Sequence, residues 1–344
     1  MLIVFTAISR FTLEESLKYL VCPLDQEELE LDLMTSDLVS EGEFECTKCG
    51  RKYEIRDGVP YFFEKGNGFE WGNNISEQGI VNNIAESLDE ENLTWAKIIA
   101  LSNLFLNKLK DRKESIDTIF RVIEKVVAIT SANSQLQAYL TQAATAARYD
   151  IEIYRGTFTL PERILRYVVG NFESSQGIVV EGACATGECL MQLARFLDSS
   201  FYLGLDISGT MVRNAQQKSA VNMLFVQADI CSLPIRENSS GIYVLNNVFD
   251  RVVDPLEACR QADNILNHEQ SELVLSNCDP LQFGYTTGEG KEIIFVPKEK
   301  QITLEDGLRI AGFRPVISQK GIWQIETVAY GEEFLQYKSL VGRR

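Results

Sequence analysis

The chain has 344 residues, 45% of them apolar and 24% charged, which suits two or three globular units of ordinary composition. Its net charge of -16 and pI near 4.7 argue against a polyanionic partner, so nucleic acid is not expected as the ligand. No stretch approaches the ~20 apolar residues of a transmembrane helix, and residues 1–8, though apolar, lack the basic start of a secretory signal. The expectation is a soluble, unexported, cytoplasmic protein without a membrane role, acting on a small molecule or a peptide.

Residues 12–64 carry Cys22, Cys46 and Cys49 with short β-like runs such as 52–55. They end in the turn Gly58-Val59-Pro60 and the apolar Tyr61-Phe62-Phe63. Cys22-Pro23-Leu24-Asp25 and Cys46-Thr47-Lys48-Cys49 each present possible ligands three positions apart. Two such turns are how a zinc ribbon surrounds one tetrahedral ion. Asp25 stands where a fourth thiolate would be, and its oxygen is an acceptable zinc ligand. A ribbon that merely packs its thiols is the alternative. Cys184, Cys189, Cys231, Cys259 and Cys278 are scattered and read as small buried hydrophobes.

Residues 65–90 read as a linker, rich in Gly and Asn at their start. Residues 91–170 read as helical. Ile98, Ile99, Phe105, Leu106 and Leu109 mark one apolar face, and Ile116, Ile119, Phe120, Ile123, Val126 and Val127 another. Pro161 suits the first turn of a short helix reaching Val169.

Residues 171–344 alternate. Strand-like runs at 177–181, 201–205, 223–226, 242–245 and 272–275 are separated by helical patterns at 188–197, 210–219 and 255–266, which argues an α/β unit with a parallel sheet. The tail differs. After a helix near 304–311 come strands at 314–318 and 323–330, and so short a connection predicts that these two pair antiparallel.

The chemistry is carried by Val179-Val180-Glu181-Gly182-Ala183-Cys184-Ala185-Thr186-Gly187-Glu188, a buried strand running through small residues into a helix. Small side chains allow a ligand close to the backbone, and the helix start offers free N–H groups. Asp206 ends the next strand, where a carboxylate accepts from ribose hydroxyls. Asp229 ends the third, where it can accept from an adenine amino group. With one histidine, His268, in a polar stretch, neither a Ser-His-Asp triad nor a His-rich metal site is available.

These pieces, with YVLNNVFDRVVDP from Tyr243 to Pro255, resemble the class I, Rossmann-like S-adenosylmethionine-dependent methyltransferases, closest to the small-molecule group that includes quinone-biosynthesis enzymes. The resemblance implies a mostly parallel seven-stranded sheet with an antiparallel C-terminal end. It further implies that Glu181, Gly182, Ala183, Cys184 and Gly187 line the methionine part of the cofactor, that Asp206 holds the ribose with Ile207 against the adenine, and that Asp229 and Ile230 flank the adenine edge. Asn246 and Asn247 would lie under the sulfonium. Two departures stand out. Ala183 and Ala185 occupy positions the family fills with glycine, so the loop is expected to differ slightly or the cofactor to sit further out. Asp250-Arg251 replaces the family's Glu-His, which leaves Asp250 as a catalytic candidate.

The early cysteines, from LVCPLDQEEL to CTKCGRKYEIRDGVPYFF, resemble the zinc-ribbon fold of tRNA-methyltransferase activator proteins, which implies a structural zinc held by Cys22, Asp25, Cys46 and Cys49. The two units are expected to have separate cores. Residues 148–156 concentrate Tyr149, Tyr154, Arg148 and Arg155 with two acids ahead of the first strand. That is where the resembled family covers cofactor and substrate. Tyr149 and Tyr154 are therefore catalytic candidates, and Arg155 is a partner for the cofactor's carboxylate. A solvated helix end is the alternative. The expected function is methyl transfer to a small molecule or peptide in a biosynthetic pathway. An RNA methyltransferase docking through its ribbon, or a silent binding scaffold, are the competing readings.

Overall fold

A computed structural model of the chain describes residues 8–33, 37–62, 155–156, 159–173, 176–207, 209–252, 254–266, 270–286, 292–294, 296–327 and 331–344. The linker over 65–90 and nearly all of the helical zone, Tyr149 and Tyr154 included, lie outside these.

The N-terminal unit begins with β1 (Ile8–Ser9) and α1 (Arg10–Ser16). It continues through β2 (Leu29–Leu33), β3 (Leu38–Val39), β4 (Glu41–Cys46), β5 (Lys52–Arg56) and β6 (Val59–Pro60). β2, β4, β5 and β6 form an antiparallel four-stranded sheet in that order. Phe44, Tyr53 and Ile55 alternate with exposed or half-buried acids and bases along β4 and β5, so one face is apolar.

After β7 (Arg155–Gly156) and α2 (Glu162–Asn171) the second unit alternates: β8 (Ile178–Gly182), α3 (Glu188–Ala194), β9 (Tyr202–Asp206), α4 (Gly209–Gln216), β10 (Met223–Gln227), β11 (Ser240–Asn246), α5 (Pro255–Ile265), β12 (Glu272–Cys278). Every residue of β8 to β11 is buried, as expected of parallel strands covered on both faces. A small hairpin, β13 (Gly284–Thr286) with β14 (Glu292–Ile294), leads to α6 (Leu304–Ile310), which opens on a capping box between Thr303 and Asp306. The chain closes with β15 (Arg314–Thr327) and β16 (Gly331–Arg343).

The large sheet runs β10-β9-β8-β11-β12-β16-β15-β7. Its strands from β10 to β12 are parallel and β16 is antiparallel to β12. Order reverses between β8 and β11, the point at which ligands enter open α/β sheets.

The tail differs from expectation. Residues 314–327 are one strand, and their antiparallel partner is Gly331–Arg343. Gly321 permits the strand to continue: a Cβ there would lie 2.5 Å from the Tyr337 hydroxyl, so its bare backbone is covered by that ring rather than marking a turn.

The expectation of separate cores is overturned. Leu13, Leu20, Phe44, Ile55 and Phe62 of the first unit share one apolar cluster with Phe201, Leu203, Leu224, Val226 and Leu233 of the second. Backbone seals the contact at the carboxyl end of β10 and again in the segment that leads on to β11. Phe62 N donates to Gln227 O at 2.9 Å beside β10's end, Val21 N to Pro234 O at 3.1 Å, and Arg236 N to Tyr19 O at 2.7 Å. The sheet face that β9 and β10 present has no helix of its own among the described residues, and the ribbon supplies the missing layer. Thermal unfolding is therefore expected as one cooperative transition. Leu20→Ala, which empties a fully buried site, should destabilise the whole by about 2–5 kcal/mol. Two separated transitions in calorimetry, only the first shifted by Leu20→Ala, would contradict this.

Candidate active site and metal centre

β8 ends at Gly182 with Leu205 of β9 on one side and Leu245 of β11 on the other, so the loop that follows emerges at the switch point. Gly182 is closely packed: a Cβ there would meet the Tyr243 hydroxyl at 2.4 Å and Ile230 at 3.1 Å. The loop then takes three left-handed residues, Ala183 at φ 55, Ala185 at φ 47 and Gly187 at φ 82. The alanines thus keep the backbone that glycine would adopt, at a cost of about 1–2 kcal/mol each. Gly187 is also required sterically, since a Cβ would lie 2.6 Å from the ring of Phe225.

Hydrogen bonds hold this loop. Cys184 N donates to Leu205 O at 2.9 Å, and Ala185 N donates to Asp206 Oδ2 at 2.8 Å. Asp206 thus ties β9's end to the loop. The Glu181 carboxylate is buried and accepts from Leu190 N at 2.8 Å, fastening α3 to β8. Burial holds its pKa well above the ordinary carboxylate range. Its side chain is therefore structural, whatever its backbone lines.

Asp229 lies at the mouth of β10, 9% exposed, and accepts from Cys231 N at 2.9 Å. Burial raises its pKa to about 6. Ile230 is buried against Gly182, and the Ile207 carbonyl accepts from Gln227 Nε2 at 2.6 Å. Asn247 is a turn residue at φ 54, its N–H donating to Ser276 O. Asn246 differs from it. Its side chain is buried, and neither amide atom has a hydrogen-bond partner. Gln227 Oε1 and Asn277 Nδ2 are likewise buried without partners.

Buried polar atoms are paired as a rule, so orphans at the carboxyl ends of β10, β11 and β12 suit a polar ligand there. With Asp206 and Asp229 beneath a glycine-like loop, the residues fit S-adenosylmethionine. Gln227 and Asn277 were missed in the sequence. Nothing in a strand pattern separates an inward-facing amide that is satisfied from one that is not.

Asp250 is 2% exposed and engaged, accepting from Gln282 N at 3.1 Å with Arg251 Nε at 3.5 Å. It anchors the chain after β12, which does not suit the catalytic role expected of it. Arg155 pairs with Glu326 on β7 and β15, on the far side of β16 from β12. The structure thus brings together the residues at the ends of β8 to β11, and sets Arg155 apart from them.

In the ribbon, Cys22, Asp25, Cys46 and Cys49 place their ligand atoms within 4.8 Å of one another. The two turns have the same build. Gln26 and Gly50, each just after a second ligand, are left-handed, and their N–H groups return to Cys22 O and Cys46 O at 2.9 and 3.0 Å. Asp25 therefore occupies a cysteine's place in a matched pair of turns. The Cys22–Cys49 sulfur separation of 3.9 Å agrees with the ~3.8 Å edge of a tetrahedron having metal–sulfur bonds of about 2.3 Å. Cys46 Sγ lies 3.4 Å from Asp25 Oδ1. The set fits one zinc.

Residues 180–271 match the family described as "Methyltransferase domain", and residues 16–58 match "Trm112p-like protein". No curated protein matches in sequence. Several solved structures are similar. A methyltransferase from Mesorhizobium loti is 16% identical, with TM-score 0.37 over 52% of this chain and 96% of its own. One from Aquifex aeolicus is 15% identical, with TM-score 0.38 over 57% and 92%. A complex containing the Haloferax volcanii Trm112 methyltransferase activator gives 14% identity and TM-score 0.37 over 52% and 87%. The family matches, not these distant likenesses, carry the identification.

Asp206→Ala removes the loop tie and, if Asp206 accepts from the ribose, should weaken S-adenosylmethionine binding by about 1.5–3 kcal/mol in calorimetry. Unchanged affinity would show that Asp206 does not hold the ribose. Ala185→Gly relieves a left-handed alanine and should stabilise the fold by about 1 kcal/mol, read from the denaturant midpoint. A lower midpoint would mean that this φ carries no strain. Elemental analysis of protein purified without added metal should find one zinc per chain.

The chain thus carries an S-adenosylmethionine-dependent methyltransferase domain at the switch point and a Trm112p-like unit packed on the edge of its sheet.

Proposed function

We propose that the chain methylates a small molecule or peptide within a biosynthetic pathway, in the cytoplasm, and that nucleic acid is not its acceptor. The observation that carries this reading is electrostatic. Around the strand ends the basic side chains are committed: Arg251 to Asp250, Lys300 to Asp254, Lys320 to Asp279, Lys338 to Glu305 and Arg213 to the Tyr61 hydroxyl. Among the described residues no basic stripe runs past the site, and a net charge of -16 repels a polyanion at long range. The ribbon's apolar face is buried against β9 and β10 of the large sheet, so that face is not offered to an RNA. All eight cysteines are unpaired, which fits a reducing compartment. No helix among the described residues is long and apolar enough to cross a membrane.

S-adenosylmethionine, when bound, supplies an electrophilic methyl group. The chain's residues position it: Asp206 accepts from the ribose, Asp229 from the adenine amino group, and the backbone from Gly182 to Gly187 encloses the methionine portion. Asn246 lies below the reacting centre and Asn247 shapes the turn beside it. Asp250 acts as a positioning residue, holding the chain at Gln282. Tyr149 and Tyr154 remain the candidates for contact with the acceptor.

The test is transfer of labelled methyl groups to a fractionated cell extract. Label is expected in the small-molecule or peptide fraction. Incorporation into bulk RNA, or tight salt-sensitive RNA retention on a filter, would overturn the reading. The pH dependence follows from Asp229, whose pKa of about 6 in the free protein leaves it ionised above that value. The ionised carboxylate is the better acceptor, so cofactor affinity should fall as pH drops through about 6. Asp229→Asn should flatten that dependence, and a wild-type affinity constant across this range would remove Asp229 from the adenine edge.

A further inference from the structure

β5 turns Tyr53 and Ile55 toward the interior of the ribbon, where Phe44 of β4 stands opposite Tyr53. A phenylalanine would complete that apolar face. Tyrosine adds a hydroxyl, and a buried hydroxyl is unfavourable unless it is hydrogen-bonded. Tyr53 is 1% exposed. Its ring packs on Phe62 with centroids 5.2 Å apart and planes 36° apart, and Phe62 stacks in turn on Phe44 at 6.0 Å. Neighbours on this scale leave the ring one place to be. Its hydroxyl lies 3.1 Å from Cys22 Sγ.

The four ligand residues of the ribbon differ in their surroundings. Cys49 is exposed and Asp25 half-buried, so water reaches that side of the centre. Cys22 and Cys46 are enclosed. Each sulfur has backbone donors from its own turn: Cys49 N donates to Cys46 Sγ at 3.5 Å, and Cys22 faces the N–H groups of Leu24 and Asp25. Tyr53 adds to Cys22 a side-chain donor from another strand. Three thiolates and a carboxylate carry more negative charge than one dication cancels. At an enclosed sulfur, protein donors must offset the excess. A thiolate bound to metal has no proton to give, so the contact runs in one direction, from the Tyr53 O–H to Cys22 Sγ.

Resting on the assignment of one zinc to this centre, we propose that Tyr53 is a positioning residue of the metal site, its hydroxyl aiming the Cys22 thiolate at the ion and withdrawing part of its charge. Tyr53 touches the ligand and not the metal. It therefore acts on how firmly the ion is retained and on the electron density at a single sulfur.

The test uses the full chain and Tyr53→Phe, which keeps the ring and removes one oxygen. Zinc affinity, read by competition with a chromophoric chelator, should fall about tenfold or more. With cobalt(II) in place of zinc, the sulfur-to-cobalt charge-transfer band should move to longer wavelength, because a thiolate without its hydrogen bond gives up charge more readily. Ile55→Val trims the same buried face without touching a ligand. It should lower Tm and leave both zinc affinity and the cobalt band in place. A further measurement needs no variant: in the wild-type chain loaded with NMR-active cadmium, the Tyr53 hydroxyl proton should show coupling to the metal through Cys22 Sγ. The proposal is overturned if folded Tyr53→Phe keeps wild-type zinc affinity and an unmoved band, or if Ile55→Val moves the band as far. It is equally overturned if the hydroxyl proton shows no coupling while the Cys22 methylene protons do. A folded wild-type chain that takes up neither zinc nor cobalt would sink the zinc assignment itself, and the proposal with it.

Discussion

The packing of the ribbon against β9 and β10 is the contact on which the remainder of this protein depends. β10 is the last strand of the large sheet, and an uncovered edge strand is prone to pair with other chains. Here its carboxyl end is capped by the backbone of Phe62. Its apolar face is covered by Leu13, Leu20, Phe44 and Phe62. The same strand end carries Gln227 and Asp229 to the cofactor side. Ribbon, edge strand and the residues at its carboxyl end therefore belong to one packed unit.

The cofactor loop shows backbone geometry prevailing over side-chain preference. Cys184 and Ala185 are fixed by hydrogen bonds to β9, from Leu205 O and Asp206 Oδ2. Those two bonds and the helix that must follow leave the alanines no route except the left-handed region. The strain is local and is over-determined by its surroundings, the usual condition under which such residues persist at functional sites. Asp206 consequently holds the loop, and in the function proposed above it also accepts from the ribose.

Acid pairs and buried amides divide the roles around the switch point. Glu181 and Asp250 look equivalent to Asp206 and Asp229 as acids near strand ends, and all four accept from backbone N–H groups, but Glu181 and Asp250 are 3% and 2% exposed while Asp206 and Asp229 each keep 9%. Asn246 and Asn247 are neighbours of identical type. One shapes a turn, while the other is buried with its amide unpaired.

The alternation of strands and helices from Gly177 onward, the small-residue turn and the spaced Asp206 and Asp229 were legible in the sequence, because each rests on local periodicity or on spacing along a few residues. The paired ligand turns of the ribbon were legible for the same reason. What required the tertiary structure was every property set by distant partners. The shared core joining the ribbon to β9 and β10 depends on contacts between residues some two hundred positions apart, which no window of sequence contains. Residues 319–322 read as a break between two strands because the cover of Gly321, the Tyr337 ring, comes from another strand. The engagement of Asp250 by Gln282, and the pairing of Asn246 with Ser276, arise only when the sheet sets the register of its strands. Residue type and spacing decide which groups are available; the register of the sheet decides which of them meet.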